Sequence, residues 1–413
     1  MCIKIDREMK KKQRSVLFIS ELDIWSLGKG KGGPALYRTL TGYAERGWKV
    51  LFITGNRCLE ACESPHANIR IIRFDATWLR NLMRKKKIGF FAKILWWIYF
   101  QITAFHKAIN VKRENQIGVV YGYEIYGVPV AKLLSILWGI PMVARFQGTS
   151  LGFGWRNKKF RGLRAWEHLL AFRIPADLVI MTNDGTQGNK ILKQLRVNMQ
   201  RVRFWMNGVD WILFENLLAT NDAKRVLNIN SEKMLLTVSR LVRWKRVDRS
   251  IEALPEVVRA HPDTILIIVG EGPERARLEQ LAQQLGVKEH VRFEGAIPHS
   301  EIPKYMAAAD IFLSFYDGSN VGNPLLEAMM SGKCIVTLNN GDTGRFIKDG
   351  ENGILLEHED LPELPRVLNA LLADEDLRRR LGDNAKKFAQ EHFWSWEERL
   401  NAEIKEVERL LNG

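Results

Sequence analysis

Short apolar runs, each closed by a polar or glycine-bearing loop and followed by a segment with apolar residues three and four apart, recur along the whole chain. SVLFIS at 15–20 opens the series: it lacks polar alternation, which predicts a strand buried on both faces, as in a parallel sheet. The glycine-rich WSLGKGKGGP follows. Pro34 then suits the first turn of a helix carrying Ala35, Leu36, Leu40 and Tyr43 on one face, and Gly47 ends it before a second strand, KVLFIT at 49–54. GVVYGY (118–123), PMVARF (141–146) and LVIMT (178–182) continue this βαβ alternation. The second half repeats it with MLLTVSRL (234–241), TILIIVG (264–270), VRFEG (291–295), DIFLSF (310–315) and KCIVTL (333–338). The pattern predicts two doubly wound α/β units joined near 211–232, with a ligand cleft where strand C-termini face each other. A closing helix in WSWEERLNAEIKEVERLLN places Leu400, Ile404, Val407 and Leu411 on one stripe, which needs a core to cover.

A length of 413 residues fits two domains, and 46% hydrophobic with 26% charged residues excludes a disordered chain. Cys2, Cys58, Cys62 and Cys334 are too scattered for a disulfide framework, and Cys58 with Cys62 lacks a second pair for zinc, so a reducing, cytoplasmic compartment is expected. The leader MCIKIDREMKKKQRSVLFIS has too short an apolar run for a signal peptide and no small-residue cleavage site. The net charge of +15 is unevenly spread: residues 1–210 carry 36 Lys and Arg against 14 Asp and Glu, and the remainder is net negative. The first half therefore suits an anionic partner, either nucleic acid or a membrane face.

Three loops could carry chemistry. GKGKGGP at 28–34 lies between a strand and a helix, and its Gly32 and Gly33 amides could approach a phosphate; the alternative is an ordinary tight turn. It is no P-loop, because Pro34 stands where that motif needs lysine, and the dinucleotide pattern lacks its acidic ribose partner. Arg240 and Lys245 in VSRLVRWKR follow a strand and could hold a diphosphate; beside Arg243 and Arg246 they could also be a solvated charge run. In YDGSNVGNPLLEAMMSGKCIV (316–336) a helix opens near Pro324, with Glu327 expected in its first turn. There it would either accept ribose hydroxyls or merely complement the helix dipole. Asp374-Glu375-Asp376, the one literal Asp-x-Asp, reads as a helix cap rather than a metal site.

Nearly the whole chain resembles the family 4 retaining glycosyltransferases of GT-B fold, which include enzymes of cell-surface polysaccharide and glycolipid synthesis. The matching residues are Gly32-Gly33, NGVD at 207–210, SRLVRWK at 239–245, VGEGPE at 269–274, GNPLLEAMMSGK at 322–333 and DGENGILL at 349–356. The resemblance implies two Rossmann-like domains facing a central cleft. Residues 1–212, completed by a helix crossing back over 394–413, would bind the acceptor, and 213–393 a UDP- or GDP-linked sugar. Arg240 and Lys245 would hold the donor diphosphate, Glu327 its ribose and the Gly32-Gly33 amides the distal phosphate, with Asp317, Ser319, Asn320, Gly322, Asn323, Pro324 and Leu325 completing the donor pocket. No metal or other cofactor is implied.

Two positions depart from that pattern. The first carboxylate of the family's Glu-x7-Glu pair falls on Ser319, so Asp317, or Asn320, Ser319 and Asn323 as neutral donors, would have to read the sugar. The family's active-site histidine appears as Gln147, which hydrogen-bonds but carries no proton at neutral pH. Gln147 and Glu124, in YGYEIYG, are the candidate acceptor-site residues. A transferase acting on a glycan or lipid-linked acceptor is expected; a catalytically silent membrane-associated binding protein and a nucleotide-sugar epimerase remain the alternatives. Arg84, Lys85, Lys86 and Lys87, followed by an apolar run from Ile88 to Phe100, suggest a surface-lying helix with Trp96, Trp97 and Tyr99 at an anionic membrane; the other reading is a core helix. Thirteen helical residues span only about 20 Å, short of a bilayer core. The basic aromatic segment Trp155, Arg156, Lys158, Lys159, Phe160, Arg161 could stack on nucleic acid, but a lipid-linked acceptor at the cytoplasmic membrane surface is the expected partner.

Overall fold

The computed structural model describes residues 14–22, 34–55, 64–75, 89–149, 151 and 165–412. Gly32, Gly33, Cys2, Cys58, Cys62, the Arg84–Lys87 cluster and the Trp155–Arg161 segment lie outside them. The apolar runs form two parallel sheets. The first contains β1 (Ser15–Ser20), β2 (Lys49–Thr54), β3 (Ile69–Arg73), β4 (Val119–Tyr123), β5 (Met142–Phe146), β6 (Leu178–Thr182) and β7 (Val202–Trp205), in the order β3-β2-β1-β4-β5-β6-β7. The second contains β8 (Lys233–Val238), β9 (Thr264–Val269), β10 (Val291–Gly295), β11 (Ile311–Ser314), β12 (Cys334–Leu338) and β13 (Ile354–Leu356), in the order β10-β9-β8-β11-β12-β13. This is the GT-B architecture. Strand order reverses between β1 and β4 and again between β8 and β11, so each sheet has one crevice at the C-terminal ends of its central strands.

Helices cover both faces of each sheet. In the first domain these include α1 (Pro34–Glu45), α2 (Gly89–Glu114), α3 (Glu124–Trp138) and α4 (Trp166–Arg173); in the second, α5 (Asn323–Met330) and α6 (Glu375–His392). Asp374 caps α6 by accepting from the Leu377 amide at 2.8 Å, as its sequence suggests.

The closing helix α7 (Trp396–Asn412) returns to the first domain, where Ile404 and Val407 join the core of Val16, Phe18, Leu40 and Tyr121. Gly208 of NGVD makes the return possible, because a Cβ there would collide with the Trp396 backbone. A buried ion pair anchors α7: Glu403 accepts from Arg145 at 3.0 Å, Arg399 at 2.8 Å and the Tyr121 hydroxyl at 2.6 Å. Burial alone would raise the Glu403 pKa, but Arg145 and Arg399 outweigh it and hold the group ionised. Breaking one side of a buried pair strands a charge without compensation. Glu403→Gln should therefore destabilise the protein by about 3–5 kcal/mol, measured as a lowered thermal midpoint; an unchanged midpoint would remove α7's anchor from the account.

The expectation for α2 needs correction. It runs for 26 residues rather than thirteen, and Trp96 is fully buried against Phe100 and Tyr126, so it is a core residue and not a headgroup anchor. Trp97 is half-buried, edge-on to Trp166 at 5.4 Å between ring centres, and the Tyr99 hydroxyl donates to the Asp75 carbonyl. The exposed face carries Phe91, Leu95, Ile98 and Ile102 instead. Among the described residues no helix is long and apolar enough to cross a membrane.

Candidate active site

Loops at the C-terminal ends of the strands hold the candidate residues. After β8, Arg240 is exposed while Lys245 lies half-buried with its ammonium 3.5 Å from the centre of the Tyr316 ring and 4.2 Å from that of Trp244. The loop reaches this position because Gly270 and Gly272 of VGEGPE lack a Cβ that would strike the carbonyls of Ser239 and Leu241. Those glycines serve backbone packing. Burial first, then the nearby Arg240 charge, push the Lys245 pKa down to about 7, against the pull of Asp184. Such an amine is held ready for an anion: a diphosphate between Arg240 and Lys245 would restore its charge.

Glu327 stands in the second turn of α5, not the first, so it is no helix-dipole complement; its own carbonyl accepts from the Ser331 amide. The carboxylate is buried and its Oε1 accepts from His299 Nε2 at 2.9 Å. His299 Nδ1 lies 4.0 Å from Asp210 Oδ2, and Asp210 in turn binds Arg38 of α1. The hydrogen bond to Glu327 raises the His299 pKa despite burial, helped by the Glu327 and Asp210 charges. Glu327 Oε2 has no hydrogen-bond partner among the described residues, which leaves one oxygen, rather than two, for a ligand hydroxyl. His299 was missed in the sequence, where a lone histidine in AIPHSEI carries no spacing signal.

Two sugar-pocket candidates are committed elsewhere. Asp317 pairs with Arg249 at 2.9 Å and Arg246 at 3.2 Å, so it does not substitute for the carboxylate missing at 319. Asn320 is buried with both ends of its amide spent: Oδ1 accepts from the Tyr316 amide and the Ser314 hydroxyl, and Nδ2 donates to the Leu338 carbonyl and Asn340. It shapes the loop and reads no sugar through its side chain. Gly322 caps α5, Asn323 presents the opening amide, Pro324 contributes none, and Leu325 turns into the core.

Across the cleft, Gln147 follows β5 and sits in a polar network. Its Nε2 donates to the Tyr123 hydroxyl at 2.6 Å, and its Oε1 accepts from Asn207 Nδ2 at 3.2 Å. Its amide donates to Glu124 Oε1 at 2.6 Å. Glu124 starts α3 at the switch point with φ of 63°, a strained conformation for a residue with a Cβ. Burial raises its pKa to about 7, opposed by the Gln147 amide and reinforced by Asp184. The structure thus brings Gln147 and Glu124 together on the first domain and Arg240 near Lys245 on the second, where Glu327 stands with His299. Among the described residues no cluster of His, Cys, Asp and Glu is arranged to hold a metal ion.

Comparison with known proteins bears on the fold and on the second domain. Residues 220–388, which contain the Arg240–Lys245 loop and Glu327, match the family described as glycosyl transferases group 1. The GDP-mannose-dependent alpha-(1-6)-phosphatidylinositol monomannoside mannosyltransferase of Mycolicibacterium smegmatis is 33% identical over 41% of this chain and 46% of its own length. The chain spans about half the length of the curated relatives it matches. Sucrose-phosphate synthase from Thermosynechococcus elongatus superposes with a TM-score of 0.75 at 20% identity over 96% of this chain and 99% of that one. HepE of Anabaena, in a complex with UDP and glucose, gives 0.71 at 22% over 95% and 99%. The solved structures share this chain's GT-B fold, and the family match falls within its second domain.

Proposed function

We propose that this protein is a retaining glycosyltransferase that moves a sugar from a UDP- or GDP-linked donor to a membrane-associated glycan or lipid-linked acceptor. The observation that carries this reading is the opposition, across one cleft, of an anion-ready lysine and a ligand-ready carboxylate on the second domain to the Gln147–Glu124 network on the first. Residues 213–393 hold the donor; residues 1–212, completed by the closing helix, select the acceptor. Lys245 and Arg240 stabilise the charge that grows on the diphosphate as the bond from the sugar's anomeric carbon to the phosphate oxygen breaks. The acceptor oxygen bonds to that carbon from the same face, and its proton passes to the departing phosphate oxygen. Gln147, unable to take that proton, orients the sugar or acceptor by hydrogen bonding. The test is incubation with UDP- and GDP-sugars and a membrane lipid extract, with NMR of the product. A product with the donor's anomeric configuration supports the reading. Donor binding without transfer would favour the silent binding protein, and an altered free nucleotide sugar would favour an epimerase.

The first domain also carries the acceptor's expected surroundings. Phe91, Leu95, Ile98 and Ile102 form an exposed stripe along α2, and Leu133, Ile136 and Leu137 extend it on α3, which packs beside α2. In sequence, Arg84, Lys85, Lys86 and Lys87 immediately precede α2, supplying attraction to anionic lipid. This face would seat the protein peripherally on the cytoplasmic membrane surface. The double variant Leu95→Glu/Ile98→Glu should lose flotation with phosphatidylglycerol-containing vesicles at low salt while keeping its thermal midpoint. Undiminished flotation of that variant would move the membrane contact elsewhere.

A further inference from the structure

The loop after β6, Asn183-Asp184-Gly185-Thr186-Gln187, is fastened to the opposite domain. Ser319 Oγ donates to the Asp184 carbonyl at 2.8 Å, the Asp342 amide to the Gly185 carbonyl at 2.9 Å, and Gln187 Nε2 to the Gly341 carbonyl at 3.1 Å and to Asp342 Oδ1 at 3.0 Å. The approach is too close for side chains: a Cβ at Gly185 would strike Ser319 Oγ, and one at Gly341 would strike the Gly185 carbonyl. Gln187 takes φ of 61° to complete the turn. Docking on Ser319 therefore places the residue Asp184 between the two halves of the site.

Its carboxylate is divided in use. Oδ1 accepts from the Thr186 hydroxyl at 2.5 Å and the Thr186 amide at 3.1 Å, an Asx turn that an asparagine would make equally well. Oδ2 lies against Gly148, the residue after Gln147, where any Cβ would occupy its place. It has no hydrogen-bond partner among the described residues. The charge is felt by Lys245 on one side and Glu124 on the other, while burial raises the Asp184 pKa to about 6. A partly buried carboxylate costs more than the turn requires unless something else uses its charge. Lys245 marks where the diphosphate would lie, Gln147 the acceptor side, and Asp184 stands between them, where the transferred sugar would pass.

We propose that Asp184 is a specificity-determining residue of the donor site, accepting a hydrogen bond from a hydroxyl of the transferred sugar through Oδ2. The inference rests on the transferase reading and goes beyond it, because the sugar contact comes from the domain opposite the nucleotide. Ionised acceptors make the stronger hydrogen bonds to hydroxyls, which gives the carboxylate its advantage over an amide.

The test is calorimetric titration of the full chain, wild type and Asp184→Asn, with UDP, GDP and their glucose, N-acetylglucosamine and mannose conjugates. Asparagine preserves the Asx turn, and a thermal midpoint within a degree or so of wild type checks the fold. The expected result is unchanged or tighter binding of the free nucleotide, since a negative charge near Lys245 is removed. The affinity the wild type gains from the sugar is lost, and transfer falls about 10- to 100-fold in kcat/KM. Thr186→Val, which takes the hydroxyl donor from Oδ1 but keeps the backbone turn and the carboxylate, retains sugar discrimination. Equal loss of nucleotide and nucleotide-sugar affinity in Asp184→Asn, or no loss of either, overturns the proposal. Wild type binding no nucleotide at all removes the transferase reading and this proposal with it, whereas nucleotide binding with intact discrimination in the variant removes this proposal alone.

Discussion

Glu327→Ala should weaken donor binding, lowering affinity for the nucleotide about 10- to 100-fold, which is the loss of a hydrogen bond to a charged acceptor. The carboxylate is buried at the switch point of the second sheet; one oxygen is fixed by His299 Nε2 at 2.9 Å and the other has no partner among the described residues. The variant also strands His299, whose raised pKa depends first on that hydrogen bond. Glu327→Gln separates the two effects, since the amide keeps an acceptor and loses the charge. Its nucleotide affinity should lie between those of wild type and alanine. Isothermal titration with the nucleotide that binds wild type decides it: equal affinity in Glu327→Ala and wild type would take Glu327 out of the donor site.

Lys245→Met should reduce transfer about 100- to 1,000-fold, the range seen when a preorganised partner of developing negative charge is removed. The effect falls on kcat more than on KM, because the diphosphate charge grows as the sugar leaves. The pH dependence has a definite sign. With its pKa brought down to about 7 by burial and Arg240, the free enzyme's Lys245 is charged below that value and neutral above it. Donor affinity should therefore fall as pH rises through 7. For the bare nucleotide, Asp184, raised to about 6 beside it, opposes diphosphate binding once ionised and steepens the fall, whereas for a sugar conjugate its hydrogen bond to the sugar offsets that repulsion. Lys245→Arg, charged throughout, should flatten the profile above pH 7 even if its transfer rate is lower. A wild-type profile that is flat or rising between pH 6 and 8 would contradict the assignment.

Central strands were legible in the sequence because they are buried on both faces and read as unbroken apolar runs; SVLFIS and LVIMT match β1 and β6 at both ends. The edge strands β3 and β7 escaped notice. IRIIR and VRFW place arginine among apolar residues because one face meets solvent, and β13 has only three residues. The length of α2 was underestimated because its second half alternates core positions Ala104, Ala108 and Val111 with polar ones that end an apolar run without ending a helix. In the candidate site, Lys245 and Glu327 stood out in the sequence because local motifs carry them. Their settings were not. His299 meets Glu327 across 28 residues, Arg145 meets Glu403 across 258, and Asp184 meets Ser319 across 135. A histidine in a turn, an arginine inside an apolar strand and an aspartate in TNDGT each look ordinary until the fold supplies the partner.

Binding of nucleotides to the wild-type protein tests the central claim most directly. A thermal-shift titration with UDP, GDP and their sugar conjugates reads it without knowledge of the acceptor, because a ligand that binds only the folded chain raises its midpoint. The account predicts a concentration-dependent rise with one nucleotide series, larger for a sugar conjugate than for the bare nucleotide, and lost in Glu327→Ala. No rise with any of them at millimolar concentration would contradict a nucleotide-sugar site in this cleft.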